Sequence, residues 1–489
     1  MRNKYKLNLN PKTTPFPHQI EAIEYISNKE NVSLFDEQGL GKTKIVIEAL
    51  CNNMEDGIID GALIICKKHL IVNWKEEIET HSYLKYISLI GSTNEKGIAF
   101  MGYSHFYIIN YESVIGEVER LKKFLKIRKM AIVLDESHKI KNPDAKVTKA
   151  IFELKDLAKK RIIITGTPIA NKPLDLWAQF YFLDDGNLLG NNFNDFTRKY
   201  SINLKNSNLI EQRDRFIDLK EKIISSSIRR LKKDVLELPE KIYIDKYVKI
   251  NGQQKRIYNQ LKKELYIEIT NIDGEKIIDK SEEILKKLLR LAQIASNPFL
   301  VDKSYDETPA KFPILDELIE EILEQKEKVI VWSCFVDNIR IINKRYKKLG
   351  VLMLYGGIPI EKRNETVKQF RSNDKLMILI ANPEAAREGL TLTVANNAIY
   401  LDRNFNLLDY LQSQDRIHRI TQDKECKIYK IIAENTIDEY IDEIIYKKHR
   451  LAEYVQGDIE GIRIEKQLMT KEHILEIIGG REFLYDERN

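Results

Sequence analysis

Residues 31–43 read NVSLFDEQGLGKT, and KIVIEAL follows directly. An apolar run (Val32, Leu34, Phe35) leads into Gly39-Leu40-Gly41-Lys42-Thr43 and then into a helical pattern. The order is strand, glycine turn, helix. Glycines let backbone N–H groups turn inward on an anion, and the following helix aims its positive N-terminus at the same point. Lys42 supplies a point charge for β- and γ-phosphates, and Thr43 offers a hydroxyl to magnesium. The strict pattern G-x-x-x-x-G-K-[ST] begins with glycine, whereas Asp36 stands at that position here. A glycine-rich turn on its own is also an ordinary loop, so its meaning depends on what else the chain carries.

Further along, the apolar stretch Ala131–Leu134 ends in Asp135-Glu136-Ser137-His138. Carboxylates at the C-terminal end of a strand sit at the rim of a parallel sheet, where ligands bind. Asp135 suits a magnesium shell, and Glu136 suits orienting and deprotonating an attacking water. Late in the chain, Gln412–Gln422 contains Arg416 and Arg419. On a helix, residues three apart share a face, so the spacing predicts two guanidiniums side by side. Such a pair can clamp the charge on a transferring phosphoryl group.

Around these motifs the chain alternates short apolar strands with helical periodicity. Ala62–Cys66, Phe106–Asn110, Ala131–Leu134 and Arg161–Thr165 form one series. Val329–Ser333, Val351–Leu354, Leu376–Ile380, Ala398–Leu401 and Lys427–Ile431 form a second. That grammar predicts two α/β units, each a parallel sheet wrapped by helices. Between them, over about 175–295, strands thin out and charged helical stretches dominate, such as Gln253–Lys263 and Ser281–Ala295. There is no fixed-period repeat and no low-complexity segment.

Composition sets the outer limits. The 489 residues are 43% hydrophobic and 31% charged, an ordinary globular balance. Length alone suggests about three units. The longest apolar runs fall far short of the ~18 residues of a membrane span. The N-terminal MRNKYKLNLNPKTTPF has charge but no apolar core, so no signal peptide is expected. The four cysteines (Cys51, Cys66, Cys334, Cys426) are scattered without a C-x-x-C pair, which fits a reducing, intracellular setting and argues against zinc. A net charge of +5 decides little, but two runs are locally basic: Lys122, Lys123, Lys126, Arg128, Lys129, and Arg229, Arg230, Lys232, Lys233. Either run suits a phosphate backbone or a solvated helix face.

These pieces, in this order, resemble the superfamily-two helicase-like ATPases, and more finely the Swi/Snf-type DNA translocase family. The resemblance runs from Pro17 to about Tyr440. PHQIEAIEYI (17–26) resembles the adenine-reading segment, with Gln19 as reader, and ALIICKKHLIVNWKEEI (62–78) the next motif. TGTPIAN (165–171) resembles the coupling motif, carried by Thr165, Gly166 and Thr167, and SIRRLKKDVLELPEKIY (227–243) the inter-lobe linker. LLRLAQIASNPFL (288–300), KVIVWSCFVDNI (328–339) and YGGIPIEKRNETVKQFR (355–371) resemble the entry to the second lobe, and AENTIDEYI (433–441) a bracing helix. The family implies two RecA-like lobes with helical insertions. It implies ATP and Mg2+ as cofactors, a nucleotide site built from Gly39, Gly41, Lys42, Thr43, Asp135 and Glu136, and Arg416 and Arg419 as fingers from lobe two. The expected division is 1–226 for lobe one, 227–310 for linker and insertion, 311–455 for lobe two, and 456–489 for a tail with no assigned role.

Two departures stand out. ANPEAAREGLTLT (381–393) has Ala386 and Arg387 where the family has paired glycines, keeps Gly389 as a nucleotide-site glycine, and has Thr391 in place of asparagine. The Gly-Leu-Thr pattern looks more like the branch that rewinds and remodels forks than like nucleosome remodellers. Thr421 replaces the glycine of R-x-x-R-x-G-Q, which brings the geometry of that turn into question. Lys67, Lys68 and Thr391 are the candidate DNA contacts. The expectation is an ATP-dependent, monomeric motor on double-stranded or branched DNA, with no membrane partner. Its alternatives are a polymerase-recycling or RNA-directed motor, a non-hydrolysing scaffold, and the motor subunit of a defence complex.

Overall fold

The structure, a computed structural model, describes residues 11–201, 209–270, 281–385 and 390–461. The described residues divide into two compact units. One holds the chain up to Glu237 together with the residues from Arg450 onward, and the other holds Leu238–His449. The division therefore falls beyond the expected boundary at 226, and the first part of the linker belongs to the first unit.

The first unit is built on seven strands: β1 (Asn31–Leu34), β2 (Gly61–Cys66), β3 (Tyr86–Ser88), β4 (Phe106–Asn110), β5 (Met130–Asp135), β6 (Lys160–Ile164) and β7 (Ser227–Ile228). Their order is β3-β4-β2-β5-β6-β1-β7, and every pairing is parallel. The central strands are apolar on both faces, as a sheet covered on both sides requires. Ala62, Ile64, Phe106, Ile108, Ala131, Val133, Ile162 and Ile164 feed a core on one face. Leu63, Ile65, Ile109, Ile132, Leu134 and Ile163 alternate with them and are fully buried on the other. This order puts β2, β5, β6 and β1 side by side, so the segments that leave their C-terminal ends emerge together. Those segments begin at Lys67, Glu136, Thr165 and Phe35.

The second unit has six strands: β8 (Lys241–Val248), β9 (Val329–Trp332), β10 (Val351–Leu354), β11 (Ile378–Ala381), β12 (Asn397–Tyr400) and β13 (Cys426–Ala433). The order is β10-β11-β9-β12-β13-β8, again parallel throughout. The two α/β units are as the sequence suggests. The edge strand β8, by contrast, lies inside the stretch where strands were not expected. Its sequence KIYIDKYV alternates, leaving Tyr243 and Tyr247 on the exposed face. The charged helices on either side obscure that short period. The helices at Gly252–Thr270 and Ser281–Ser296 are as expected. None of the described helices is long and apolar enough to cross a membrane.

One charge is fully buried in the second unit. Lys311 donates to the Leu401 carbonyl at 2.7 Å and pairs with Asp438 Oδ2 at 2.5 Å. Asp438 in turn accepts from the Ala433 N–H, tying the helix Ile437–Gln456 to the end of β13. Removing one partner of such a pair leaves the other charge buried without compensation. Lys311→Met is therefore expected to destabilise the second unit by ~3–5 kcal/mol, read as a lowered urea midpoint. An unchanged midpoint would mean that Asp438 is solvated without Lys311.

Candidate active site

The glycine turn after β1 ends in the helix Lys42–Glu55, whose N-cap is Gly41 at φ 78°. Gly39 is also left-handed, at φ 91°. No side chain caps this helix. Its first-turn N–H groups therefore point out of the loop without an intrahelical acceptor, the arrangement that holds phosphate. A Cβ on Gly41 would sit 2.3 Å from Gln19 Nε2, so the loop must close against that glutamine with nothing between. Gln19 is buried. Its amide donates to the Leu40 carbonyl at 3.3 Å and accepts from the Phe16 N–H at 3.0 Å. In this structure the expected adenine reader buttresses the phosphate loop itself.

Lys42 Nζ donates to the carbonyls of Asp36 (2.8 Å) and Glu37 (3.1 Å), folding its ammonium back over the loop. Burial pushes its pKa down, while the charges of Glu136, Asp36 and Asp135 pull it up. Asp135 at the end of β5 and Glu136 just after it thus both act electrostatically on the Lys42 ammonium. Thr43 follows in the first helical turn, half-buried.

Asp36 does not act as a distorted glycine. It is fully buried, and Arg230 holds it by a bidentate pair: Nη2 to Oδ2 at 2.8 Å and Nε to Oδ1 at 3.1 Å, with the Arg230 N–H adding 3.0 Å to Oδ1. The next loop residue, Glu37, accepts from the Lys232 N–H at 2.8 Å and donates its own N–H to the Arg230 carbonyl at 3.0 Å. The basic run Arg229–Lys233 is thus mostly spent inside the protein. Arg230 and Lys232 grip the phosphate loop, and Lys232 is 2% exposed. The run Lys122–Lys129 is mixed: Lys122 pairs with Glu119 and Glu153, and Arg128 bonds the Asp60 and Ser104 carbonyls and the Tyr107 hydroxyl. Lys123, Lys126 and Lys129 remain exposed.

The acidic box is held just as firmly. Asp135 Oδ2 accepts from Trp74 Nε1 at 2.8 Å, and its carbonyl accepts from the Tyr111 hydroxyl at 2.8 Å. Trp74 is fully buried in the core, and it also orients a site carboxylate. Glu136 adopts φ 54°, a left-handed conformation that costs a non-glycine residue about 1–3 kcal/mol and collects at functional sites. Its Oε2 is 3.2 Å from His138 Nδ1 and accepts from Thr165 Oγ1 at 3.3 Å. Thr165 Oγ1 also accepts from the Thr167 N–H at 3.1 Å, so the TGT loop is wired to the acidic box. Burial and the neighbouring Glu136 charge push Asp135 up. Burial would raise Glu136 too, but the hydrogen bond and charge of His138, with Lys67 and Lys42 nearby, hold it below the usual carboxylate range. Gly166 packs so tightly that a Cβ would lie 2.8 Å from Gln38 Cγ and 3.0 Å from the Gln38 nitrogen.

Of the DNA-contact candidates, Lys67 is placed otherwise than expected: its ammonium lies 3.3 Å from His138 Nε2, against the acidic box. Lys68 is exposed. In the second unit the arginines do not lie on a helix. The helix Leu407–Gln414 ends at Asp415, and 415–421 are turns and bends. Gln422 Nε2 explains why, donating to the carbonyls of Thr393, Ala395 and Ile417 and pinning the segment flat against the 390–395 loop. Arg416 is 2% exposed and reaches the Leu390 carbonyl at 3.4 Å. Arg419 donates to Thr391 Oγ1 at 2.7 Å and to the Asp415 carbonyl at 2.9 Å, which commits the Thr391 hydroxyl to this arginine. Thr421 is not left-handed, and its hydroxyl is 2.8 Å from that of Thr393, so this turn needs no glycine. The strand missed by sequence reading supports the segment: His418 bonds the Pro239 carbonyl, Lys241 pairs with Asp415, and Tyr243 donates to Gln414. Gly389 and Arg387 lie outside the described residues.

Comparison with known proteins gives the same outline. A profile for the SNF2-related domain matches residues 18–300, and one for the helicase conserved C-terminal domain matches 310–421. The uncharacterized ATP-dependent helicase MG018 of Mycoplasma genitalium is 30% identical over 93% of this chain and 43% of its own length. The putative ATP-dependent helicase/translocase YwqA of Bacillus subtilis is 28% identical over 86% of this chain and 46% of its own. The chain thus spans less than half the length of these curated relatives. Among solved structures, the Sulfolobus solfataricus SWI2/SNF2 ATPase core in complex with dsDNA is 26% identical, with 96% of this chain and 97% of that one covered and a TM-score of 0.44.

Two substitutions test the site. Asp36→Gly restores the strict glycine pattern but strips Arg230 of its partner, and is expected to cost ~3–5 kcal/mol of stability in chemical denaturation. Unchanged stability would mean that Arg230 is solvated without Asp36. Trp74→Phe removes the hydrogen bond to Asp135 and trims a fully buried side chain, so the melting temperature should fall somewhat. ATP turnover should fall roughly tenfold, the lower end for loss of a supporting partner. Normal turnover in Trp74→Phe would show that Asp135 needs no such support.

Proposed function

The chain belongs to the SNF2-related family, and from that premise we propose that it is a DNA-stimulated ATPase that translocates on duplex or branched DNA, working at forks or junctions. The observation that carries the ATPase reading is the convergence, at the C-terminal ends of adjacent parallel strands, of an uncapped helix N-terminus, the Lys42 ammonium and the Asp135-Glu136 pair. The donors fit a magnesium nucleotide. Gly39, Gly41 and the first-turn amides would hold the phosphates, Lys42 would neutralise them, and Thr43 and Asp135 would hold the metal. When bound, Mg2+·ATP supplies the electrophilic terminal phosphorus and its leaving group. The chain's own part is positioning and electrostatics. Glu136, held ionised by His138 and Lys67, orients a water and takes its proton. One of its oxygens, Oε2, is already occupied by Thr165 and His138, which leaves Oε1 for the water. Thr165 then carries the state of the acidic box into the TGT loop. Arg416 and Arg419 are assigned to the charge that develops on the transferring phosphoryl group. Duplex DNA, held through its phosphates, is the track that the family's linker pattern favours.

The test is steady-state ATP hydrolysis with no nucleic acid, single-stranded DNA, duplex DNA, a four-way junction and structured RNA. Duplex or junction should stimulate strongly, and Glu136→Gln should abolish turnover at every condition. Arg416→Ala and Arg419→Ala should each lower turnover without loss of the fold. Stimulation confined to RNA would move the reading to an RNA-directed motor. An absence of hydrolysis on every substrate would leave a scaffold, or a subunit that needs its partner.

A further inference from the structure

The chain's return to the first unit ends on a fixed carboxylate. The helix Ile437–Gln456 stops at Gly457, which is left-handed at φ 85°. The Gly457 N–H bonds the Tyr454 carbonyl at 3.1 Å and the Asp458 N–H bonds the Glu453 carbonyl at 2.8 Å. This paired pattern is the Schellman motif, and it sets the direction in which the chain leaves the helix. Lys220 Nζ then holds the Ile459 carbonyl at 2.9 Å, and Gly457 lies so close to Ile224 that a Cβ would be 2.8 Å from it. Asp458 is thus placed by backbone geometry on both sides.

It is placed on Arg229. The guanidinium Nε and Nη2 donate to the two Asp458 oxygens, each at 2.6 Å, in a fork that is 10–13% exposed. The remaining nitrogen of Arg229, Nη1, donates to the Phe35 carbonyl at 2.6 Å and to the Gly166 carbonyl at 3.4 Å. Phe35 opens the phosphate loop, and Gly166 is the centre of the TGT loop. One guanidinium therefore ties both loops to the segment that follows the helix Ile437–Gln456. Its neighbour Arg230 faces Asp36 from the next position of the same extended segment, where successive side chains point to opposite sides.

We propose that Asp458 is a positioning residue of the nucleotide site, acting through Arg229 to fix the spacing between the phosphate loop and the TGT loop. This gives a task to the residues after the last helicase motif, and it rests on the ATPase reading above. Asp458 touches no substrate. Its effect is to aim Arg229, so that movement of the return segment changes how the two loops sit.

The test uses the full chain and three variants: Asp458→Asn, Arg229→Lys, and the exchange of Arg229→Asp with Asp458→Arg. Hydrogen exchange at residues 35–41 and 164–168 reads the loops without nucleotide. Exchange there should speed up severalfold in Asp458→Asn. At saturating ATP and DNA, turnover should fall roughly tenfold in Asp458→Asn and in Arg229→Lys. The double exchange rebuilds an ion pair but offers no donor to Phe35 or Gly166. It should regain much of the melting temperature while turnover stays low. Recovery of both by the double exchange would reduce the pair to a structural tie and overturn the proposal. Wild-type loop exchange and turnover in Asp458→Asn would overturn it as well. If the wild type hydrolyses no ATP, the ATPase reading fails by itself, and the exchange data still decide whether Asp458 orders the loops.

Discussion

A buried carboxylate needs a partner, and much of the first unit follows from how Asp36 gets one. At 0% exposure its charge is tolerable only because Arg230 meets it with both edges of a guanidinium and a backbone N–H. Arg230 lies almost two hundred residues away in sequence. The phosphate loop therefore cannot take its shape until the segment after the helix Leu209–Ser226 has come back and laid β7 beside β1. In a strict glycine loop the turn is shaped locally, by backbone freedom at the first position. Here that freedom is given up for a long-range ion pair. The loop becomes sensitive to whatever moves its partner.

The sheet order does the rest of the assembly. Because β2, β5, β6 and β1 are neighbours, Lys67, Glu136, Thr165 and the phosphate loop leave the sheet at adjacent points. Lys67, His138, Glu136 and Thr165 then form one continuous contact chain. Each pair in it has an electrostatic consequence. Burial, and then Lys67, pushes the His138 pKa down, while the bond from His138, with Lys67 and Lys42 nearby, holds Glu136 below the usual carboxylate range against its burial. A lysine that looks like a surface contact in the sequence thus tunes the acidic box from inside.

Local pattern made most of the fold legible. Apolar runs bounded by turn residues located nearly every central strand, because strands buried on both faces leave a dense signal. Lys42, Asp135 and Glu136 stood out as candidates by position, the two carboxylates at the end of such a run and Lys42 after the glycine turn that follows one. What stayed hidden was set by partners distant in sequence. The strand Lys241–Val248 is half-exposed at a sheet edge, so its alternation is weak beside charged helices. The 416–419 spacing looks helical, but Gln422 reaches back to three carbonyls and holds the segment in turns and bends. Nothing local in the sequence shows that the Trp74 indole N–H ends on Asp135.

The linker shows how far a motif's meaning can lie from its composition. SIRRLKKDVLELPEKIY carries five cations in seventeen residues and looks like a surface for phosphate. In the first unit, Arg229, Arg230 and Lys232 are instead turned onto Phe35, Asp36 and Glu37. In the second, Pro239, Lys241 and Tyr243 are turned onto His418, Asp415 and Gln414. Each half is used up in supporting the charged segment of its own unit, the phosphate loop in one and the arginine turn in the other. The desolvation cost of so many cations is offset only where carboxylates and carbonyls meet them at bonding distance. That requirement constrains the sequence at both ends. Each arginine in this stretch is coupled to the loop it holds, which is why the basic run is read together with Asp36 and Asp415.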